Sequence, residues 1–166
     1  MNERDELKAA IEQYAAACDK IEAVKKEYDE LLRQAIANAN AFATDDTITF
    51  TVNGTITLAS ALADLTSNGT LTITGNGDVS TIISGNNLYR VFNLAANSQV
   101  TLTGMTLQNG SVTGSGGCIQ VQTTASLTFN TGTLQNCTAT SSGGAISGSG
   151  TSSITISSSF LQNNTS

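Results

Sequence analysis

The side chains able to do chemistry in this chain are few. From residue 47 onward the only charged groups are Asp64, Asp78 and Arg90, with Asp45 and Asp46 just upstream. Carboxylates gathered beside a cation are what polysaccharide lyases and hydrolases use for acid–base work or calcium. Here Asp64 and Asp78 sit about half a structural repeat apart, which puts them on different sides of the stack described below. The sequence has no His, so no side chain titrates near neutrality of its own accord. Ser and Thr abound, but no base is placed to activate one. The segment Gly75-Asn76-Gly77-Asp78 is similar to a calcium-repeat turn, yet occurs once and reads as an Asx-type turn. Three cysteines, Cys18, Cys118 and Cys137, are scattered, odd in number and without a Cys-x-x-Cys pair. With no His beside them they do not read as a zinc site. We read them as small buried hydrophobes, at least one thiol being unpaired in a lone chain. The expectation is a protein with no catalytic residue, no cofactor and no metal, hence not an enzyme.

What must position any other function is set by composition. The 166 residues suffice for one domain, and the net charge is −6, so no basic patch exists to hold a nucleic acid. No apolar run approaches the ~20 residues that span a bilayer, and the charged N-terminus is unlike a secretory signal. All charged residues but three precede residue 47. That shift divides the chain into a helix over 1–42 and an uncharged, strand-forming part over 47–166.

The second part repeats. Leu-Gln-Asn recurs at 107–109, 134–136 and 161–163, spaced by 27 residues each time. Gly116-Gly117 and Gly143-Gly144 keep the same spacing, as do Val100/Leu102, Leu127/Phe129 and Ile154/Ile156. Within each unit apolar residues alternate, the period of a strand with one face in and one out. Gly, Asn and Ser clusters supply the corners. A unit this short cannot bury its apolar face alone; stacked on copies of itself at ~4.8 Å it can. The fold expected is mainly β: a right-handed parallel β-helix, a solenoid of about five coils, with a long N-terminal amphipathic α-helix. Leu107, Leu134 and Leu161 should stack inside. Asn109, Asn136 and Asn163 should form a corner ladder hydrogen-bonded along the stack, and Gly116, Gly117, Gly143 and Gly144 should suit corners with positive φ or crowded backbone. Outside, Thr101, Thr128 and Thr155 fall in one register, a lateral array of hydroxyls and methyls able to meet a glycan or a lattice such as ice. Thr is also simply a good polar strand residue, and Thr103 gives way to Asn130 and Ser157 in its own column.

The first part has the helical period. Leu7, Ile11, Tyr14, Cys18, Ile21, Tyr28, Leu32 and Ala35 follow 3-4 spacing, with Lys25 interrupting. Asn2 is the expected N-cap, and Glu22/Lys26 and Asp29/Arg33 are favourable i,i+4 pairs. Such a helix is about 57 Å long, whereas five coils rise only about 24 Å. Its C-terminal third is therefore expected to cap the first coil while the rest projects and offers its stripe to a second copy.

These motifs resemble known families. Gly143-Gly144-Ala145-Ile146 with Phe160-Leu161-Gln162-Asn163 resembles the GGA[ILV] and FxxN repeats of chlamydial polymorphic membrane proteins, with Thr106 and Thr133 standing where the earlier units would carry Phe. Residues 31–58 resemble the start of bacterial surface proteins that carry a Cys-Ser-Leu-Arg-Glu-Ala motif: Leu32-Arg33-Gln34-Ala35 keeps the core, with Glu30 and Leu31 at the Cys and Ser positions. The resemblance covers about residues 31–166. It implies a right-handed parallel β-helix in an extracellular or surface-displayed, adhesin-like or structural protein.

Read together, the features point to a non-catalytic structural subunit that self-associates. Helix residues Leu7, Ile11, Tyr14, Cys18, Ile21, Tyr28 and Leu32 and last-coil residues Phe160, Leu161 and Asn163 are the expected contacts. The sequence ends on a strand without a polar cap, which suggests a fragment or a coil covered by another subunit. Head-to-tail stacking into an extracellular fibre or surface layer is the route this suggests. The alternative is an adhesin-like module that binds a glycan or lattice through the lateral Thr, Ser and Asn face.

Overall fold

The computed structural model describes residues 3–66 and 69–166. Asn2, expected as the helix cap, lies outside the described residues. Helix α1 (Glu3–Ala41) is followed by fifteen short strands among the described residues: β1 (Asp46–Thr49), β2 (Gly54–Thr57), β3 (Thr70–Thr74), β4 (Thr81–Ser84), β5 (Phe92–Leu94), β6 (Gln99–Thr103), β7 (Thr106–Gln108), β8 (Ser111–Val112), β9 (Ile119–Val121), β10 (Ser126–Asn130), β11 (Thr133–Gln135), β12 (Thr138–Ala139), β13 (Ile146–Gly148), β14 (Ser153–Ser157) and β15 (Phe160–Gln162).

Each strand pairs in parallel with its equivalent in the next coil, as a parallel β-helix requires. One five-stranded sheet runs β1-β3-β6-β10-β14, a second β2-β4-β7-β11-β15, a third β5-β9-β13, and β8 pairs with β12. From β6 onward the register is the 27-residue repeat itself: Val100 lies beside Leu127 and Leu127 beside Ile154. The earlier coils are looser, with Asp46 beside Leu71 and Leu71 beside Val100, so the length variation is taken up in loops while the strands keep register. The stack makes about four turns.

Like residues pile on like, and this makes a core from few large side chains. Leu71, Val100 and Leu127 form one buried column, Ile73, Leu102 and Phe129 the next, and Ile83, Leu107 and Leu134 a third, all at most 2% exposed. Leu161 continues the third column on the last rung but is 48% exposed, because no further rung covers it.

The corners are left-handed turns repeated coil by coil. Asn109, Asn136 and Asn163 have φ of 51°, 54° and 54°, and Asn tolerates this region better than most residues with a Cβ. The expected amide ladder lies one residue earlier. Gln135 Nε2 donates to Gln108 Oε1 at 2.8 Å and Gln162 Nε2 to Gln135 Oε1 at 2.7 Å, whereas Asn109 Nδ2 reaches Ser84 Oγ. The Gln column thus carries the side-chain ladder from coil to coil, while the Asn column shapes the left-handed turn and, at Asn109, bonds a serine of the preceding coil. At the double-glycine corner Gly116 and Gly143 have φ of 74° and 62°. A Cβ on Gly117 would sit 2.2 Å from the Gly144 carbonyl oxygen, so adjacent coils meet there backbone to backbone.

The cysteines correct the sequence reading. Cys118 and Cys137 are not merely small hydrophobes but a disulfide, with Cα atoms 5.4 Å apart, buried in the core. Cys18 is free. No spacing rule could pair two cysteines 19 residues apart; the fold does so by bringing successive corners together.

Candidate association surfaces

The stripe of α1 divides into two halves with different surroundings. In the C-terminal half Leu32, Ile36 and Ala39 are 3%, 0% and 4% exposed against the first coil, and Tyr28 packs part-buried beside them. Leu32 is therefore not a contact for another subunit, a correction to the sequence reading. It faces β1 and β2, as the 3-4 spacing carried on through Ile36 and Ala39 demands. Polar side chains complete the junction. Asp29, itself buried, accepts from the Ala59 amide at 3.3 Å and from Arg33. Arg33 donates onward to the Ser60 and Ala61 carbonyls at 2.7 and 2.8 Å. Asn40 donates to the Asp64 carbonyl and accepts from the Thr66 amide at 2.8 and 2.9 Å. The helix thus does for the first rung what a preceding coil would do: it covers the apolar column and pairs the main-chain groups of the loop after β2. Sequence reasoning missed Ile36, Ala39 and Asn40 in this role. Their signal was the continuation of the helical stripe past Leu32.

In the N-terminal half the stripe is uncovered: Leu7, Ile11, Tyr14, Ile21 and Val24 are 63%, 60%, 74%, 55% and 43% exposed, with Cys18 partly exposed between them. Of the expected ion pairs, Asp29–Arg33 forms at 3.1 Å, while Glu22 pairs with Lys25 at 2.7 Å rather than with Lys26. Where the helix leaves the solenoid an open cleft of about 570 Å³ lies between Ile21, Val24 and Tyr28 on one side and Gly54 and Thr55 of β2 on the other.

A second apolar surface is the last rung. Ile154, Ile156 and Leu161 are 37%, 41% and 48% exposed, although their equivalents Leu127, Phe129 and Leu134 are fully buried, and Phe160, in register with Thr133, is 69% exposed. Asn163 closes this rung in its left-handed turn.

The third surface is lateral. Thr101, Thr128 and Thr155 lie in register, and the same column takes in Thr72 and Thr47, so one Thr stands on every rung of the first sheet. A parallel column holds Thr49, Thr74, Thr103, Asn130 and Ser157. Together they form a grid of about 4.8 Å by 6.6 Å. Thr47 and Thr72 were missed because the first coils depart from the 27-residue spacing; their signal was the Thr-Ile-Thr pattern itself.

Two charged groups, Arg90 in the solenoid and Asp45 at its entrance, hold the backbone in place. Arg90 donates to the Gly116 and Ser115 carbonyls at 2.8 Å each, and burial lowers its pKa from the ordinary value while Asp64 pulls the other way. Asp45 Oδ1 accepts from the Thr70 amide at the start of β3. Among the described residues no group of three or more His, Cys, Asp or Glu is gathered as a metal would need, and no helix is long and apolar enough to cross a membrane. Compared with protein-family models, curated proteins and solved structures, the chain finds no match.

Proposed function

We propose that this protein is a non-catalytic structural subunit that works by self-association. The observation that carries the reading is the uncovered apolar stripe of α1, Leu7 to Val24, on a helix whose other half is anchored to a rigid stack. A stripe of this kind on an isolated helix is unstable in water unless something covers it. An extracellular or surface location fits the buried Cys118–Cys137 disulfide, because such bonds persist in oxidising compartments. It also fits the resemblance to bacterial surface proteins.

The adhesin-like alternative draws on the five-rung Thr column and its neighbour, which would match a regular array of hydroxyls on a glycan or a lattice. Light scattering and electron microscopy of the purified protein over a range of concentrations test between the two. Mass or filament length that grows with concentration supports the structural subunit. A monomer at all concentrations that is retained on a polysaccharide matrix, with retention lost on Thr101→Lys/Thr128→Lys, supports the adhesin.

A further inference from the structure

We infer that two copies of the chain pair their helices antiparallel through residues 7–24, giving a closed dimer. This deepens the proposed self-association and rests on it. The stripe keeps heptad spacing: Leu7, Ile11, Tyr14, Cys18, Ile21, Lys25, Tyr28 and Leu32 alternate steps of four and three, the seam of a two-stranded coiled coil with Lys25 as its one charged position. Four observations select a second copy in the antiparallel sense.

First, the seam is blocked at one end by the chain's own solenoid. Tyr28 and Leu32 of the same stripe already face the first coil. A parallel partner would have to continue into space that the solenoid fills. An antiparallel partner runs the other way, and its own solenoid lies beyond the first helix's N-terminal end. Second, the charges match. With Ile11 opposite Ile21 of the second copy and Tyr14 opposite its Cys18, the flanking positions bring Lys8 beside Glu22 of the other helix, twice by symmetry. Both are exposed and hold only local ion pairs, Lys8 with Glu12 at 3.9 Å and Glu22 with Lys25 at 2.7 Å. Third, the flanks between these charges are Ala10, Ala15 and Ala17, small enough for close approach. Fourth, the register gives the seam a definite end. Leu7 of the second copy arrives beside Lys25, where the cleft between Ile21, Val24, Tyr28 and β2 stands open. That cleft can receive a Leu side chain and the Lys25 stem. The contact is isologous, so it closes on itself as a dimer.

Cysteine cross-linking tests the inference in the full chain. In this register the two Cys18 residues are offset by four positions, about 6 Å along the axis, on helices about 8–10 Å apart, beyond disulfide reach. Wild type should therefore stay non-covalent under mild oxidation, and so should the variant Tyr14→Cys/Cys18→Ser, whose thiols are offset in the same way. An equimolar mixture of the two should yield a covalent heterodimer, because position 14 of one helix faces position 18 of the other. Both sites lie on the projecting half of α1, so folding of the solenoid is untouched and circular dichroism checks it. A parallel seam gives the reverse pattern, each protein cross-linking with itself and the mixture adding no heterodimer beyond chance, and would overturn the antiparallel register while leaving self-association standing. A monomer by light scattering at all concentrations overturns helix pairing altogether. Lys8→Glu should weaken the dimer several-fold and Lys8→Glu/Glu22→Lys restore it; failure of the double variant to restore it also counts against the register.

Discussion

Reduction of the Cys118–Cys137 disulfide should destabilise the solenoid by about 3 kcal/mol, the chain-entropy value for a closed loop of this size. The bond joins residues 19 apart in sequence and encloses β9, β10 and β11. In the unfolded chain it removes the freedom of that loop. In the native stack the two corners are already adjacent, so reduction leaves the packing in place. Both sulfurs are fully buried, and reductant reaches them only when the coils open. Equilibration with reductant must therefore be done in denaturant before refolding. For a chain of this size about 3 kcal/mol corresponds to a fall of about 6–12 °C in melting temperature. The assay is urea unfolding followed by circular dichroism, with and without reductant, beside the variant Cys118→Ala/Cys137→Ala. Reduced wild type isolates the cross-link; the double variant adds the loss of two buried sulfurs and should be less stable still. The m-value should rise on reduction, because the freed unfolded chain expands. Thiol titration of the denatured, unreduced protein should find one group, Cys18. Three thiols, or stabilities within 1 kcal/mol with and without the bond, would refute the reasoning.

Two further outcomes follow from the packing. Ile36→Ala should cost about 2–5 kcal/mol in thermal or urea unfolding, since Ile36 is fully buried between helix and first coil, whereas Leu7→Ala on the projecting half should change the stability of the monomer by less than about 0.5 kcal/mol. Asn136→Gly should be within about 0.5 kcal/mol of wild type and Asn136→Ala lower by about 1 kcal/mol, because the site needs a left-handed backbone rather than an amide. A larger loss for Gly than for Ala in urea unfolding would restore the Asn side-chain ladder.

How much of this was legible in sequence depended on whether a feature was local or stacked. The coils could be read because 27-residue spacing is a property of the chain and the pairing of Leu127 with Val100 and Ile154 follows from it. The helix could be read because its period is 3.6 and its charges sit on one part of the chain. The disulfide could not, since Cys118 and Cys137 meet only when two successive corners are superposed. The distinction between Asn and Gln columns was missed because Leu-Gln-Asn repeats both with the same spacing, and only the folded stack shows that the amide-to-amide bonds join Gln108, Gln135 and Gln162. The lateral column was read for three rungs of five: loops of irregular length before β6 hide Thr47 and Thr72 from a search by spacing, although the strands restore the register.

The division of α1 into an anchored and a projecting half bears on what kind of assembly the chain can build. Head-to-tail growth requires the last rung of one copy to land on the first rung of the next. The first rung is already covered by Leu32, Ile36 and Ala39, and its loop is pinned by Arg33 and Asn40. Uncovering it would expose side chains whose burial stabilises by roughly 1.5–3 kcal/mol each for the two larger ones, and would break the buried Asp29 contacts besides. A stacked copy would have to return all of that before contributing anything net. Pairing through Leu7–Val24 asks for no such exchange, because among the described residues nothing covers that surface and the solenoid stays closed at its N-terminal end.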